Sequence, residues 1–247
     1  VNGKEKAAAA FNDPDGPFTD GERYVFARDM DGTVLAWLSR PDQIGTNSTG
    51  TLDPNGVAHI RRMIELAETG GGRLYYVTGN PADGGREQVK IAEVRPVDGT
   101  WFVGTGVYLA DLPAVFPASE REELVRRVDS AASYARAQGA HAALRDFNDL
   151  NGTFADGSRY IFAYGQNGTT LAMPFQPEAI GTDRTDFTDR NGVRVAKWEM
   201  DVAKTGGGFV YVDYYNPDTG EPGIKLCYVT PVDETWFVGS GIYARMN

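Results

Sequence analysis

Two carboxylates two residues apart, Asp29 and Asp31 in the run Asp29-Met30-Asp31-Gly32-Thr33, have the types and spacing for phosphoryl transfer. The first would attack phosphorus, the second would act as acid and base, and magnesium would offset their charge. A different chemistry is offered by the basic residues. In a chain of 247 residues with formal net charge -10, Lys or Arg stands at paired places: Arg23 and Arg159, Arg61 and Lys197, Lys90 and Lys225. Lys90 and Lys225 lie inside apolar runs that read as strands, so they are the first candidates to anchor an anionic ligand. A desolvated anion is costly without such a donor, and ligand sites are concave and partly apolar. Arg61 and Lys197 follow on a helix. Aromatic walls are available: Tyr75 and Tyr76 in one strand, and in another Val212 and Tyr214 on the face opposite Tyr211 and Asp213. Trp198 stands where Arg62 does in the paired stretch, and Tyr164 where Arg28 does, so two pockets built on these residues differ in polarity.

Other chemistries find little support. His59 and His141 fall on different helices with no second ligand nearby, which leaves no zinc site or Ser-His-Asp arrangement. Cys227 is the single cysteine and reads as a small apolar strand residue. The turns Asp13-Pro-Asp15-Gly16, Asp53-Pro-Asn55-Gly56 and Asp189-Arg-Asn191-Gly192 lack the oxygen spacing of a calcium loop and read as Asx turns and helix starts. No basic run suits a nucleic acid, and no stretch reaches the roughly 18 apolar residues of a membrane span. With 41% hydrophobic and 11% aromatic residues the chain can fill a globular core. It opens at Val1, so we expect that an N-terminal segment has been trimmed away, which is compatible with a signal peptide or membrane anchor there.

The elements that must position these groups occur twice. Shifted by 136 residues, Ala9–Ala27 meets Arg145–Ala163 without a gap, Asp31–Ala36 meets Asn167–Ala172, Asn55-Gly-Val meets Asn191-Gly-Val, and Thr69-Gly-Gly-Gly meets Thr205-Gly-Gly-Gly. After one deletion, "DGTWFVGTGVY" (Asp98–Tyr108) meets "DETWFVGSGIY" (Asp233–Tyr243). The pattern in each copy is helix, hairpin about Asp31-Gly32 or Asn167-Gly168, helix ended by the glycines, and three strands. In the second copy Ser119–Asn148 reads as one long amphipathic helix started by Ser119 and Glu122; only its tail is present in the first. The repeat weighs against phosphoryl transfer, because the stretch equivalent to Asp29–Thr33 is Gly165-Gln-Asn-Gly-Thr169, which keeps the turn and lacks both carboxylates. In "WFVGTGVY", alternation puts Phe102, Gly104, Gly106 and Tyr108 on one face, where missing side chains let another element come close.

The order "RYVFARDMDGTVLA…IGTN…DPNG…helix…TGGG…Y…K…WFVGTGVY" resembles the Cache domain, of the single-Cache type 2 kind, present twice and spanning nearly the whole chain. The chain departs from the family pattern with Trp37-Leu38 and Met173-Pro174 where His-Pro is common, and with Ala92-Glu93 and Cys227-Tyr228 after the lysines. The resemblance implies an α+β, PAS-like fold, extracytoplasmic placement and recognition of small molecules, often short carboxylates, by chemoreceptors, sensor kinases and related signalling proteins. It also implies that Tyr76 and Tyr214 occupy pocket positions.

The sequence therefore predicts two tandem Cache modules, residues 1–113 and 114–247, each an antiparallel sheet of about five strands with a long N-terminal helix, truncated in the first, and a second helix. The function expected is non-catalytic sensing of a small organic anion, with Lys90, Tyr76, Arg61, Lys225, Tyr214, Lys197 and Trp198 as ligand-binding residues. No cofactor, metal or nucleic-acid partner is expected; a membrane anchor outside this chain and a homodimer are compatible with this reading. The alternatives are a haloacid-dehalogenase-like phosphatase and an interaction ectodomain with vestigial pockets.

Overall fold

The computed structural model of the protein describes residues 3–110, 112 and 114–244. The expected junction at Pro113 lies outside them; by its contacts the chain divides after Val115, with the second unit beginning at Phe116. In the first unit a helix α1 (Gly3–Phe11) precedes short strands β1 (Thr19–Asp20) and β2 (Arg23–Tyr24), then β3 (Phe26–Asp29), β4 (Val34–Ala36), helix α2 (His59–Glu68), β5 (Gly72–Asn80), β6 (Arg86–Pro96) and β7 (Trp101–Leu109). The sheet order is β4-β3-β7-β6-β5, antiparallel throughout.

The second unit repeats this order. Helices α3 (Ala118–Gln138) and α4 (Ala140–Phe147) lead to β8 (Ala155–Asp156), β9 (Arg159–Tyr160), β10 (Phe162–Gly165), β11 (Thr170–Ala172), α5 (Val195–Lys204), β12 (Gly208–Asn216), β13 (Glu221–Pro231) and β14 (Trp236–Tyr243), with sheet order β11-β10-β14-β13-β12. The predicted single long helix is broken at Gly139, whose φ of 79° is a left-handed conformation that no helix interior adopts. Its start also differs: Pro117 occupies the N-cap, with no side-chain cap, and Ser119 lies inside the first turn.

The residues that recur between the copies do the same mechanical work in each. Asn12 donates from Nδ2 to Leu35 O at 3.1 Å and accepts from Trp37 N at 3.1 Å, clamping the end of α1 to β4. Asn148 does this to Leu171 O and Met173 N. Asp98 accepts from Thr100 N and from Trp101 Nε1, and Asp233 accepts from Thr235 N and Trp236 Nε1, so the turn before the last strand also fixes its tryptophan. The buried Asp53 is the tightest such joint. Its Oδ1 accepts from Asn55 N and Val57 N, both at 2.9 Å, and its Oδ2 accepts from Val77 N at 3.0 Å, tying the start of α2 to β5. Asp189 repeats this with Asn191, Val193 and Asp213. These turns are Asx turns, as their spacing predicted.

The two faces of each sheet are covered differently. In the second unit α5 packs on β12 and β13, and α3 packs on β13 and β14. Leu124 and Arg127 of α3 border a space shared with Ser240, Gly241 and Ile242 of β14. In the first unit α1 packs on β3 and β4, where Phe11, Ala27, Ala36 and Trp101 form a buried cluster. Thr105 and Val107 are exposed there, whereas their counterparts Ser240 and Ile242 are buried.

Replacing Asp53 by Ala strands three backbone N–H donors, an effect of about 3 kcal/mol. Calorimetry is expected to show the transition of the first unit shifted down by roughly 10 °C. An unshifted transition would show that this joint carries no load.

Candidate functional site

The candidate sites lie on the sheet face that α2 or α5 covers. Register, rather than chain proximity, assembles them. Tyr76 of β5 pairs with Lys90 of β6, which pairs with Tyr108 of β7, so the three side chains stand in one row across three strands. On the same face Tyr24, Phe26 and Arg28 follow at every second residue. Lys90 is fully buried, with Nζ 4.0 Å from the centre of the Tyr24 ring and 4.8 Å from that of Tyr108. Its Nζ has no hydrogen-bond partner among the described residues. Burial pushes its pKa down; the Tyr24 phenol and, more weakly, Glu22 oppose this. Glu22 itself accepts from Asn80 Nδ2 at 3.2 Å.

Arg28 is the second cation of this face. It is 4% exposed, donates from Nη1 to Ser48 Oγ, and lies 5.0 Å from the centre of the Trp37 ring. Burial lowers its pKa to about 10. Its Nε is unpaired among the described residues. His59 of α2 closes the site from above, its ring stacked 4.9 Å from that of Tyr76 at an interplanar angle of 5°. Burial depresses its pKa to about 4, so it is a neutral cover at neutral pH. The arrangement is two buried cations walled by phenols, suited to a small anion.

In the second unit the row is Val212, Lys225 and Tyr243. A narrow cavity is lined by Tyr160, Phe162 and Tyr164 from successive inward positions, by Val212 and Tyr214 of β12, and by Lys225 and Cys227 of β13. Val195 and Glu199, one helical turn apart on α5, cover it, with Met173 at the side. Its free space is about that of one water molecule. Lys225 Nζ lies 4.1 Å from the centre of the Tyr160 ring. Tyr214 donates to Gln176 Oε1 at 2.7 Å and receives Arg184 Nη2 at 3.4 Å.

Glu199 is the unexpected group. It is 2% exposed, its Oε2 has no hydrogen-bond partner among the described residues, and burial raises its pKa to about 8 although Lys225 pulls the other way. In the first unit Met63 occupies its place. The signal was present in the duplication: a carboxylate replaces an apolar residue within the buried stripe Val195, Ala196, Trp198, Glu199, Met200, Ala203 of α5. The guanidinium has also moved between the copies. Arg28 with Ser48 becomes Tyr164 with Arg184, and Arg184, half-buried, meets the Tyr214 hydroxyl without joining the lining of the cavity.

The paired glycines of the last strand make room for this face. A Cβ at Gly104 would lie 2.3 Å from the Phe26 ring, one at Gly239 2.4 Å from the Phe162 ring, and one at Gly241 2.5 Å from Lys225 Cε. Of the residues predicted from sequence, the structure brings Lys90 together with Tyr76, and Lys225 together with Tyr214. Arg61 is exposed on α2. Lys197 pairs with Asp201 along α5. Trp198 is buried but is absent from the lining of the cavity. Asp29, the expected nucleophile of the phosphatase alternative, is ion-paired with Lys4, and its loop is a hairpin turn between antiparallel strands. No group of three metal-ligating side chains occurs among the described residues.

The family model for single Cache domain 2 matches residues 1–122 and 138–245. The chain belongs to this family. The Cache match is accompanied by a curated relative, the sensor histidine kinase MctS of Rhizobium johnstonii, 34% identical over 85 residues. That alignment covers 34% of this chain and 18% of the relative, so the chain spans about a fifth of the relative's length. Among solved Cache-like structures, a methyl-accepting chemotaxis protein of Vibrio parahaemolyticus is 22% identical, with a TM-score of 0.45, covering 51% of this chain and 88% of that one. A Cache chemosensory domain described for carboxylic acid recognition is 22% identical, with a TM-score of 0.44, covering 51% and 93%. These likenesses concern the fold.

The raised pKa of Glu199 has a definite sign. The folded chain holds this proton to about pH 8, whereas the unfolded chain releases it near the ordinary value of 4.5. Between those values the folded state binds more protons, so its stability contribution falls as pH rises, by at most about 1.4 kcal/mol per pH unit. Glu199→Gln is expected to flatten this slope in urea unfolding at pH 5.5, 7 and 8. An unchanged slope would place the titration elsewhere.

Proposed function

We propose that the chain is the extracytoplasmic, non-catalytic sensing part of a signal-transduction protein, a chemoreceptor or sensor kinase, and that its first unit captures a short organic anion. The observation that carries this reading is the pair of buried cations, Lys90 and Arg28, in an aromatic cage of a chain with net charge -10. A cation over an aromatic face gains about 2 kcal/mol when desolvated, while an unpaired buried ammonium costs several. A carboxylate between Lys90 Nζ and the Arg28 guanidinium removes that deficit, with Tyr24, Tyr76 and Tyr108 closing around its carbon chain. Membership of the Cache family supports extracytoplasmic placement and a signalling role. No helix among the described residues is long and apolar enough to cross a membrane.

Binding at this place would act on the rest of the unit through α2, because His59 stacks directly on Tyr76 and Asp53 fixes the start of that helix to β5. A ligand that settles Tyr76 thereby biases the position of α2 relative to the sheet.

Acetate, propionate and pyruvate are the probes. Titration calorimetry is expected to find at least one of them bound, and Lys90→Met to weaken it at least thirtyfold, about 2 kcal/mol, without lowering the melting temperature of the free protein. Absence of binding by all three, or equal binding by the variant, would remove the anion site from the first unit.

A further inference from the structure

We propose that Glu199 is the built-in occupant of the second unit's site: its side chain stands where a ligand's carboxyl group would stand beside Lys225, so this unit takes no small anion and capture falls to the first. Space is the first constraint. The cavity lined by Lys225 and Glu199 has room for about one water molecule, too little for the carboxyl group and carbon chain of even a short acid. Glu199 takes up that room. It reaches inward from α5, 2% exposed, with its carboxyl against the Cys227 thiol and its Oε2 without a hydrogen-bond partner among the described residues. A buried acid with an unserved oxygen is costly, and an apolar side chain does the same covering work in the first unit, where Met63 holds this place. What the acid adds is a carboxyl group beside a lysine that the fold buries in both copies.

The other differences between the copies point the same way. Arg28, the second cation of the first site, becomes Tyr164, whose ring lines the cavity. His59 and Tyr76, the stacked pair that closes the first site, become Val195 and Val212. A carboxylate entering the second unit would find Lys225 without that arginine, a ring in its path and an acid already beside the cation. Lys225 meanwhile stands among aromatic faces, its Nζ 4.1 Å from the centre of the Tyr160 ring and 5.1 Å from that of Tyr243. At neutral pH Glu199 excludes by bulk, since burial holds its proton to about pH 8; above that pH its charge repels a second carboxylate as well.

Truncation at position 199 is the test. Glu199→Ala removes Cγ, Cδ and both oxygens, atom for atom the heavy atoms of acetate, and leaves their place beside Lys225. The full chain carrying Lys90→Met, which silences the first unit's anion site, is the background. With Glu199 intact, titration calorimetry at millimolar acetate, propionate or pyruvate is expected to detect no binding that Lys225→Met alters. Adding Glu199→Ala is expected to create a site for acetate, preferred about tenfold or more over acetamide, which has the same shape and no charge. Three results overturn the proposal: binding that depends on Lys225 while Glu199 is intact, no gain of acetate binding on truncation, or equal binding of acetamide. Should Glu199→Ala fail to fold in chloride, refolding is repeated in acetate at the same ionic strength; recovery in acetate is expected, and equal failure in both salts overturns the proposal. A first unit that binds no anion would leave all these outcomes unchanged, so failure of the sensing reading and failure of this one are distinguishable.

Discussion

Each unit is organised around an ammonium group buried on the face of an antiparallel sheet. Lys90 and Lys225 sit on the strand between the last strand and the edge, and no surface is available to their side chains. Everything nearby answers that constraint. Tyrosine rings stand against the Nζ atoms, Gly241 on the neighbouring strand leaves space for Lys225, and a helix closes the face. The buried Asp53 and Asp189 carry the mechanical counterpart, each spending both oxygens on backbone N–H groups that join the covering helix to the sheet. Helix and lysine are thereby held in fixed relation, which a ligand site requires.

Duplication has kept this frame and changed its contents. The clamps at Asn12 and Asn148, the Asx joints and the Asp-to-Trp turns match contact for contact, because each satisfies backbone groups that any side-chain change would strand. The inward positions are free of that demand. There Arg28, Met63 and Tyr76 have become Tyr164, Glu199 and Val212, so the same scaffold presents a buried lysine and arginine in one unit and a buried lysine with an acid in the other.

The fold was legible because its signals are local. Glycine and Asx turns, strand alternation and the repeat itself identify an α+β module written twice. Lys90 and Lys225 were also legible, as basic residues inside apolar strands of an acidic chain. The break at Gly139 was less so: one glycine within a helical pattern is tolerated in many helices, and only the backbone conformation shows that this one ends α3. Arg61 and Lys197 illustrate the limit on the helices. Their recurrence as cations singled them out, yet the covering helices turn the neighbouring positions 63 and 199 inward, and a two-residue difference in a period of 3.6 places a side chain on nearly the opposite face.

By itself the sequence determined the two-unit plan, the strands and the central lysines, since these follow from the repeat, periodicity and turn chemistry within short windows, and its motifs carried the resemblance to the Cache family. Only the tertiary structure decided which side chains meet. Tyr24 reaches Lys90 through a pairing of strands distant in the chain, and Glu199 reaches the cavity of Lys225 because α5 is laid across β12 and β13. Its unpartnered oxygen and its raised pKa arise from desolvation by residues far away in sequence. Charge in a buried site is set by what surrounds it, and that is fixed only when the sheet has closed and the helix has docked.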